Sequence, residues 1–437
     1  MKIKKLVSLF VVLALVLTLF AGCGAAQSGS GNSSGKVTKL EIWSFVTDHL
    51  NFYEKMAGIW NEQNPKRQIE LVPTRLDWAD MHDKFYAALL SGQGVPDLCD
   101  VEIGKWPNFM NGEVQFLDLT SYAASYTKDI VDSQIELYSK DGKLYGATSH
   151  IGATVMYYNT ELLNAAGIDY KTIKTWDDFE KALRTYKEKT GKYMTYCETY
   201  GAYQFTYMLA EKGYDLIDAD GKPNLNTPQA LEVVNLINKW VKDDIIGFIP
   251  TGNADTAEGK AAVANGEVAA LGYPLWYMGR FTSEMPDLKG KIALAPLPVF
   301  DDKSNKSVGL GGTGTVVYKN GKNKDLAADF ICWAKMSEEG ATYLWTDLGY
   351  DPVNTKVWNN LEVTGDTSNK FISYFVSNPF DVLKEIEDGI FTCKIMQNSG
   401  AINDYLSATT WNRIYVNKED PATVLKETQN ELAAEAK

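Results

Sequence analysis

Short apolar runs of strand length alternate with helical apolar periodicity at the start of the chain, and this alternation constrains its fold most strongly. Residues 39–45, 67–73 and 95–102 each read as a strand. Between them, residues 52–60 and 81–90 repeat their apolar side chains at helical spacing. A strand–helix–strand order of this kind places consecutive strands side by side in one sheet. We therefore predict an α/β fold with a largely parallel sheet and helices on its faces.

The rest of the chain shows the same mixture of helix and strand signals. The predicted later elements are a capping-box helix from Thr175 and Asp178, a helix from Thr227 and Pro228, a strand over 267–273, a helix from about 326 through 345, and a last helix from Asp420 and Pro421 to the end. No internal repeat is visible in the sequence. A repeat architecture is therefore not expected.

Residues 1–22 have the composition of an export signal and not of a folded element. Lys2, Lys4 and Lys5 precede an apolar run over 6–21. This run is too short and too abruptly ended for a comfortable membrane span, whereas a basic start and small residues before a cleavage point are typical of a secretory signal. We predict that the signal is removed.

Residues 19–23, Leu-Phe-Ala-Gly-Cys, resemble a bacterial lipobox, after which Cys23 becomes the lipid-bearing first residue. Several acyl chains, at about 0.8 kcal/mol per buried methylene, hold a protein durably on a membrane surface. Residues 23–36 are rich in Gly, Ser and Ala and predict a flexible tether. The alternative is a plain secreted protein whose Cys23 is incidental. We expect the folded part to face outside the cytoplasm, anchored to the cell membrane by lipid alone.

Length and charge limit the possible partners of the mature chain. The 415 residues that follow the signal suffice for two domains of ordinary size. Removal of the three signal lysines takes the formal net charge from −13 to −16. Such a charge excludes nucleic acid and polyanions as ligands. No second apolar run approaches the ~20 residues of a membrane span, so we expect a soluble fold and a monomer.

Four cysteines remain beyond Cys23, and they are widely spaced. They are Cys99, Cys197, Cys332 and Cys393, with no CxxC pair and no histidine at metal-ligand spacing. Two disulfide bridges in any of three pairings are possible in an exported protein, but a chain of this length needs no such cross-links. We expect isolated, buried thiols.

Motifs for catalysis or for cofactor binding are missing from the sequence. The three histidines are scattered, and no HExxH, GxSxG or P-loop pattern occurs. Gly309, Gly311 and Gly314 form a GxGxxG pattern, but a strand-like segment follows it, whereas a dinucleotide site requires a helix there. The glycines more simply allow a tight backbone crossing. We expect no cofactor, no metal and no enzymatic activity.

Aromatic residues alternate with polar groups in several segments just past predicted strand ends. These segments are "WSFVTDH", "YGAYQFTY", "YPLWYMGRF", "YLWTDLGYD" and "TTWNR". A sugar ring offers an apolar face and a rim of hydroxyl groups, so its site combines an aromatic platform with carboxylates or arginine. Each ring alone could equally belong to the core. Together they favour a carbohydrate-binding cleft.

The sequence also resembles a known family over essentially its whole mature length. The segments that carry the resemblance, in order, are "LEIWSF", "EQNP", "SGQGVPDLCDVE", "DGKLYGATSHIGATVMYYNTELLNAAGI", "KTWDDFEKAL", "GEVAALGYPLWYMGRF" and "VGLGGTGTVVYKNGKNKDLAADFI". It is similar to the extracellular sugar-binding proteins of ABC importers, which include maltose-binding protein. Three segments, "SHIGATVMYYN", "MGRFTSEMPDLKGK" and "GLGGTGTVV", resemble the arabino-oligosaccharide and lactose binders in particular.

This resemblance implies two α/β lobes joined by a hinge of several crossing strands, in the manner of a periplasmic binding protein. An oligosaccharide would lie between the lobes, and an ABC permease in the membrane would receive it. The N-terminal lobe would comprise residues 37–149 and 307–348, and the C-terminal lobe residues 150–306 and 349–437.

The resemblance also implies roles for individual residues in the ligand site. Thr47 and Asp48 match a polar sugar clamp, and Glu102 matches an acidic acceptor for sugar hydroxyl groups. Tyr203 lies in a segment similar to one that supplies an aromatic side chain from the second lobe. The alternative for Thr47 and Asp48 is a role as the N-cap of a helix, and the alternative for Glu102 is a solvated acid in a turn.

Two tryptophans, Trp276 and Trp411, fall where the family places stacking residues. Further candidates for the ligand site are Trp43, Asp77, Trp78, His150 and Arg280. A role in a strand, in the core or in a salt bridge explains each of them equally well. The sequence departs from the family at Ala202, where an acid normally stands beside the aromatic residue. Recognition of the sugar by the second lobe must therefore differ from that in the family.

Two other classes of protein compete with a binding receptor. A secreted glycoside hydrolase also displays aromatics and acids, and Glu102 with Asp48 or Asp100 could form its pair of carboxylates. A surface adhesin would bind polysaccharide on an open platform. Hydrolysis requires neither the lipobox and tether nor the two-lobe order, and a cleft that closes on short sugars would distinguish a receptor from an adhesin. An oligosaccharide receptor is favoured.

Overall fold

Two separate β-sheets with packed helices form the framework of the chain. The structure is a computed structural model that describes residues 37–396 and 398–435. The strands of this part are β1 (Thr38–Ser44), β2 (Ile69–Arg75), β3 (Leu98–Glu102), β4 (Ser139–Lys140), β5 (Lys143–Leu144), β6 (Thr154–Asn159), β7 (Tyr196–Cys197), β8 (Gly247–Phe248), β9 (Ala270–Pro274), β10 (Ile292–Ala295), β11 (Ser307–Gly309), β12 (Thr313–Val317) and β13 (Ile390–Thr392). The predicted signal and the whole predicted tether, with Cys23, lie outside the described residues.

Helices occupy most of the intervening chain. The α-helices of the described residues are Thr47–Gln63, Trp78–Ser91, Trp106–Phe109, Thr120–Ala123, Asp132–Leu137, Thr160–Ala165, Trp176–Thr190, Tyr203–Glu211, Pro228–Lys242, Ala257–Ala264, Met278–Glu284, Lys324–Met336, Glu338–Tyr343, Thr355–Asn359, Leu361–Thr364, Lys370–Tyr374, Pro379–Ile386, Ser399–Tyr405 and Pro421–Glu435. None of the helices in the described part is long and apolar enough to cross a membrane.

The first sheet has the strand order β12-β3-β1-β2. Strand β1 pairs in parallel with both β2 and β3, which confirms the prediction for the opening of the chain. Strand β12 joins the other side of β3 in the antiparallel direction. Because β1 and β3 run in the same direction, their carboxyl ends meet at one edge of the sheet, and the residues that follow them are brought together there.

The second sheet, β10-β6-β9, is antiparallel, so the predicted parallel arrangement does not extend to it. Every residue of β6 is buried, and its apolar run resembles that of a central parallel strand. Such a run shows that a strand is buried on both faces, but it does not show the direction of its neighbours. The difference therefore comes from chain connectivity and not from residue type.

Helix caps in the sequence specify helix starts correctly, and a missed cap explains one wrong prediction. Thr175 and Asp178 form the predicted capping box, and Thr227 accepts a hydrogen bond from the N–H of Ala230. The single helix predicted from about 326 through 345 is instead two helices, Lys324–Met336 and Glu338–Tyr343. Ser337 is extended between them, and its Oγ accepts a hydrogen bond from the N–H of Gly340 at 3.0 Å, which starts the second helix.

Three stretches of chain lie beside one another, and the first runs into β6 of the second sheet while the second runs into β12 of the first sheet. They are residues 147–153, 309–315 and 350–354, and we call them the three passages. Isolated bridges join Ala147 to Thr315 and Ala153 to Gly309. The third passage is tied to the first by a further bridge between residues 150 and 352. The sheets are thus connected by adjacent backbone segments and not by one linker.

Glycines in the passages permit this close approach. Gly152 has φ +67°, and a Cβ there would lie 2.5 Å from the backbone nitrogen of Gly311. Gly314 faces the ring of Tyr138, and a Cβ at Gly314 would lie 2.5 Å from Cδ1 of that ring. The GxGxxG pattern leads into strand β12, as predicted, so its glycines serve backbone packing.

The cysteines of the described residues are isolated and buried, as predicted. Cys99, Cys197, Cys332 and Cys393 are all free thiols. No group of His, Cys, Asp and Glu side chains within residues 37–396 and 398–435 is arranged to hold a metal ion.

Candidate functional site

Two polar candidates lie at the carboxyl edge of the first sheet, where β1 ends. Thr47 and Asp48 form the first turn of the helix Thr47–Gln63 and are exposed. The N-cap position is occupied by Val46, and no side chain caps the helix. The carboxylate of Asp48 is favoured there by the positive end of the helix dipole. Both side chains are therefore available to a ligand.

Glu102 ends strand β3 at the same edge and is held in a defined position. Its Oε2 accepts a hydrogen bond of 2.9 Å from the N–H of Gly104. Its own N–H donates to Nε2 of His82 at 3.1 Å. Burial raises the pKa of Glu102 to about 7, although hydrogen bonding to Gly104 and the charge of Lys105 oppose this rise. The carboxyl group can therefore accept or donate hydrogen bonds near neutral pH.

Trp78 stands near Glu102 and offers an open aromatic surface. Its side chain is 41% exposed, and Nζ of Lys105 lies 4.5 Å from the ring centroid. Its carbonyl accepts a hydrogen bond from Nδ1 of His82 at 2.7 Å. The neighbouring candidate Asp77 is exposed and forms an ion pair with Arg75.

Aromatic candidates of the second sheet gather after strand β9. The rings of Tyr203 and Trp276 lie 6.2 Å apart between centroids, and Tyr273 lies 4.9 Å from Tyr203. The indole N–H of Trp276 donates to the carbonyl oxygen of Leu310 at 3.1 Å, which fixes the ring against the second passage. Trp276 and Tyr203 remain half-buried, so part of each ring is accessible.

Arg280 joins this group through a carboxylate that the sequence did not single out. Its Nε and Nη2 donate to the two oxygens of Asp255 at 2.8 and 3.3 Å. The guanidinium carbon lies 5.6 Å from the ring centroid of Trp276. Asp255 therefore orients the cation beside the aromatic face, and the pair offers both donors and acceptors to a polar ligand.

The passages contribute His150 and Tyr350 between these two groups. His150 is buried, and its ring lies 4.3 Å from that of Tyr350 at an angle of 31°. Burial lowers the pKa of His150 well below its usual value, so its imidazole is neutral. Tyr350 is half-buried. It lies in the quoted segment "YLWTDLGYD", but it was not among the predicted site residues.

Charges from both sheets act on the tyrosines of this region. Burial raises the pKa of Tyr203, and the carboxylate of Glu102 adds to that rise. Burial also raises the pKa of Tyr350, while Arg280 lowers it and Asp48 raises it. Coulombic effects of this kind require short separations. Contacts also join the two groups, since the rings of Tyr350 and His150 lie 4.3 Å apart, and a Cβ at Gly311 would lie 3.0 Å from both His150 and Trp276. These residues together define the candidate cleft.

Two predicted tryptophans lie in the core and do not present an open ring to this cleft. Trp43 is 7% exposed and packs edge-on against Phe85 at 6.5 Å. Trp411 is only 1% exposed, and it packs against Phe205 and Tyr415. With both of its faces covered, Trp411 cannot stack on a ligand in this structure.

Trp411 instead supports the loop that precedes Tyr203. Its indole N–H donates to the carbonyl oxygen of Gly201 at 2.7 Å. The helix Tyr203–Glu211 begins two residues later. The tryptophan therefore fixes the backbone that presents Tyr203 to the cleft.

A buried acid, Glu198, lies beside Tyr203 although Ala202 itself is apolar. Its Oε2 accepts a hydrogen bond of 2.9 Å from the N–H of Gln204, and burial raises its pKa to about 8. Glu198 and Tyr203 line a common cavity of about 10 Å³ with Tyr273. That is enough room for a single water molecule. The acid precedes the aromatic by five positions, and no motif in the sequence indicates their contact.

Asp100 is unavailable for the pair of catalytic carboxylates considered above. It is fully buried, and its oxygens accept hydrogen bonds from the hydroxyl groups of Ser44, Tyr53 and Thr315 at 2.6 to 2.7 Å. A carboxylate enclosed in this way cannot approach a glycosidic bond.

The fold and the cleft together define a two-lobed α/β binding protein. The sequence profile of the bacterial extracellular solute-binding proteins matches residues 46–341. The chain belongs to this family of sugar-binding proteins, which resemble maltose-binding protein.

Two characterised relatives are similar over nearly their whole length. The arabinooligosaccharide-binding protein of Halalkalibacterium halodurans is 36% identical over 406 residues, which are 92% of this chain and 91% of that protein. The arabinooligosaccharide-binding protein of Bacillus subtilis is 36% identical over 434 residues, 98% of this chain and 99% of that protein. Both relatives are binding proteins and not enzymes by name.

Solved structures establish the same fold at lower identity. The sugar-binding protein MalE of Xanthomonas citri has a TM-score of 0.75 at 17% identity, covering 91% of this chain and 98% of its own. The galacto-N-biose/lacto-N-biose I-binding protein of Bifidobacterium longum has a TM-score of 0.74 at 18% identity, covering 93% and 98%.

Proposed function

We propose that the chain is the receptor of an ABC importer for an oligosaccharide, and that an arabino-oligosaccharide is its ligand. The observation that carries this proposal is the series of contacts from His49, the neighbour of Asp48, through Tyr350 and His150 to Trp276, which is flanked by Tyr203 and Arg280. The charges of Asp48 and Glu102 act on Tyr350 and Tyr203 of this group. Aromatic faces with carboxylates and a guanidinium suit a neutral sugar, whose ring stacks while its hydroxyl groups form hydrogen bonds. The names of the two relatives at 36% identity support the arabino-oligosaccharide.

The ligand would lie between two lobes. We keep the lobe boundaries predicted from the sequence: residues 37–149 with 307–348, and residues 150–306 with 349–437. The first two passages support the boundaries near residues 149 and 307, because one runs into β6 of the second sheet and the other into β12 of the first. The passages would form the hinge.

The membrane permease would be the partner that takes up the sugar. A lipid on Cys23 and the tether over 23–36 would keep the receptor beside the permease, as a monomer, while leaving it free to bind ligand. The lipobox at residues 19–23 supports this anchoring. Family membership among extracellular proteins agrees with a location outside the cytoplasm.

Calorimetry with a panel of arabino-, xylo-, galacto- and malto-oligosaccharides tests the proposal. We expect binding to arabino-oligosaccharides above the other classes, and chromatography of the same mixtures should recover every sugar intact. Cleaved product would favour the glycoside hydrolase. Binding to none of the sugars would contradict the receptor function, and preference for another class would correct the ligand alone.

A further inference from the structure

Three polar side chains connect the core of the first sheet to the candidate cleft. Oδ2 of Asp100 lies 3.0 Å from Nδ1 of His49, and Nε2 of His49 lies 2.9 Å from the hydroxyl group of Tyr350. Asp100 and His49 are buried, whereas Tyr350 is half-buried. The series therefore runs from an enclosed carboxylate to a tyrosine that a ligand can reach.

The proton positions in this series follow from the state of Asp100. Burial alone would raise the pKa of Asp100, but the hydrogen bond from His49 and the charge of Lys335 hold it below its usual range. An ionised carboxylate has no proton, so every polar group in hydrogen-bond contact with it must donate. Nδ1 of His49 consequently carries a proton.

A neutral imidazole with its proton on Nδ1 has an acceptor at Nε2. Burial raises the pKa of Tyr350, so its hydroxyl group keeps a proton that it can donate to Nε2 of an imidazole in this form, and the phenolic oxygen then keeps its acceptor capacity for another partner. His82 shows the same arrangement elsewhere in the first sheet, since its Nδ1 faces the carbonyl oxygen of Trp78 and its Nε2 accepts from the N–H of Glu102.

Packing holds the Tyr350 ring between the helix Thr47–Gln63 and the first passage. The ring lies against His150, and the ring of His49 meets it edge-on at 5.6 Å. Asp48 and Arg280 are close enough to act on its hydroxyl group from opposite sheets. Since the ring is fixed by two imidazoles, its oxygen has a defined position before any ligand arrives.

We propose that His49 holds only its Nδ1 proton, and that Tyr350 is a specificity-determining residue that accepts a hydrogen bond from one hydroxyl group of the bound sugar. Asp100 and His49 are positioning residues that act through Tyr350, because they retain its proton and leave its oxygen as an acceptor. This proposal rests on the proposed function, since it assigns a contact within the same cleft. A ligand that lacks a donor at this point leaves the tyrosine oxygen without a partner.

Nuclear magnetic resonance of ¹⁵N-labelled histidine in the full chain tests the proton positions without any sugar. The chain has only three histidines, and the variants His49→Gln and His150→Gln assign their signals. We expect His49 to be protonated on Nδ1 and unprotonated on Nε2, like His82, which serves as the internal reference. A proton on Nε2 of His49 overturns the proposal.

Calorimetry with α-1,5-arabinotriose tests the contact itself. Tyr350→Phe should weaken binding by about 3- to 10-fold, the usual effect of one hydrogen bond. Tyr193→Phe is the matched control, because the Tyr193 hydroxyl group also donates to a partner, Asp244, but outside the cleft. This control should bind as the wild type does.

The double variant separates positioning from a merely structural role. His49→Gln should weaken binding in the wild type but add little in the Tyr350→Phe background, because His49 acts through the tyrosine hydroxyl group. Equal affinity of wild type and Tyr350→Phe overturns this proposal and leaves the receptor function intact. If the wild type binds no sugar of the panel, the receptor function fails, and the ligand contact of Tyr350 fails with it.

Discussion

At the scale of single residues, Trp276 is the aromatic side chain best placed to stack on a sugar. Its ring is half-buried, fixed by the hydrogen bond to Leu310, and flanked by Arg280 and Tyr203. We expect Trp276→Ala to weaken sugar binding by about 1 to 3 kcal/mol, on the scale of a buried aromatic anchor. Calorimetry measures the loss, and urea unfolding should show a fold that is still cooperative. Unchanged affinity would remove Trp276 from the site.

Trp411 should behave differently because its ring belongs to the core. Trp411→Ala leaves a cavity and removes the hydrogen bond to Gly201, so we expect a loss of about 3 to 5 kcal/mol in the free energy of unfolding. Urea denaturation of this variant beside Trp276→Ala gives the comparison. A Trp411→Ala protein that keeps its stability and loses only affinity would restore the stacking role implied by the sequence.

Site residues were predictable where a local pattern placed them and not where distant chain segments meet. Glu102 ends the apolar run of strand β3, and Trp276 follows the apolar run of strand β9. Tyr350 and His49 are separated by 301 positions. Nothing local distinguishes Tyr350 from a core tyrosine, and Trp411 shows the reverse error, because its sequence surroundings do not reveal its burial.

At the scale of elements, two of the three passages are joined by one buried carboxyl group. The two oxygens of Asp351 accept hydrogen bonds from the N–H groups of Gly152 and Ala153 at 3.1 and 2.8 Å. Burial raises the pKa of Asp351 to about 7, although these two N–H groups oppose the rise. The third passage is therefore linked to the first by a group that titrates near neutrality.

Asp351 should make stability depend on pH. Between about pH 4 and pH 7 the folded chain retains a proton on Asp351 that the unfolded chain has lost, so this group's contribution to the free energy of unfolding falls as pH rises. Asp351→Asn should not show this decrease with pH. The free energy of unfolding of the wild type, relative to that of the variant, should therefore decrease between about pH 4 and pH 7. Urea unfolding at several pH values measures the difference.

The exposed residue Asp302 supplies a control, since Asp302→Asn should leave the pH profile of the wild type unchanged. Parallel profiles for wild type and Asp351→Asn would mean that Asp351 titrates normally in the fold.

Elements were predicted well wherever their signals are local. The capping box at Thr175 and the proline start after Thr227 lie within four residues of the helices that they begin. Strand direction in the second sheet depends on which segments pair, and Ser337 interrupts a helix although its neighbours are good helix formers. Local patterns do not determine these two features, because pairing and capping compete with alternatives of similar energy.

At the scale of the whole molecule, a ligand held by both lobes would bias the relative position of the two lobes. A sugar that touched one lobe alone would bind the open and closed forms equally and could not shift their balance. Asp48 and Glu102 follow strands of the first sheet, whereas Tyr203 and Trp276 flank the second. The proposed ligand contacts therefore lie on both sides of the three passages, whose glycines keep the backbones close without bulky side chains.

We expect sugar binding to close the molecule by rigid-body rotation about the passages, the mode of periplasmic binding proteins. Closure brings the two lobes together over the ligand, so the radius of gyration in small-angle scattering should decrease at saturating arabino-oligosaccharide. A sugar of the panel that calorimetry finds not to bind is the control and should leave the radius unchanged. An unchanged radius with the bound sugar would retain a binding protein but remove closure as the signal that the permease reads.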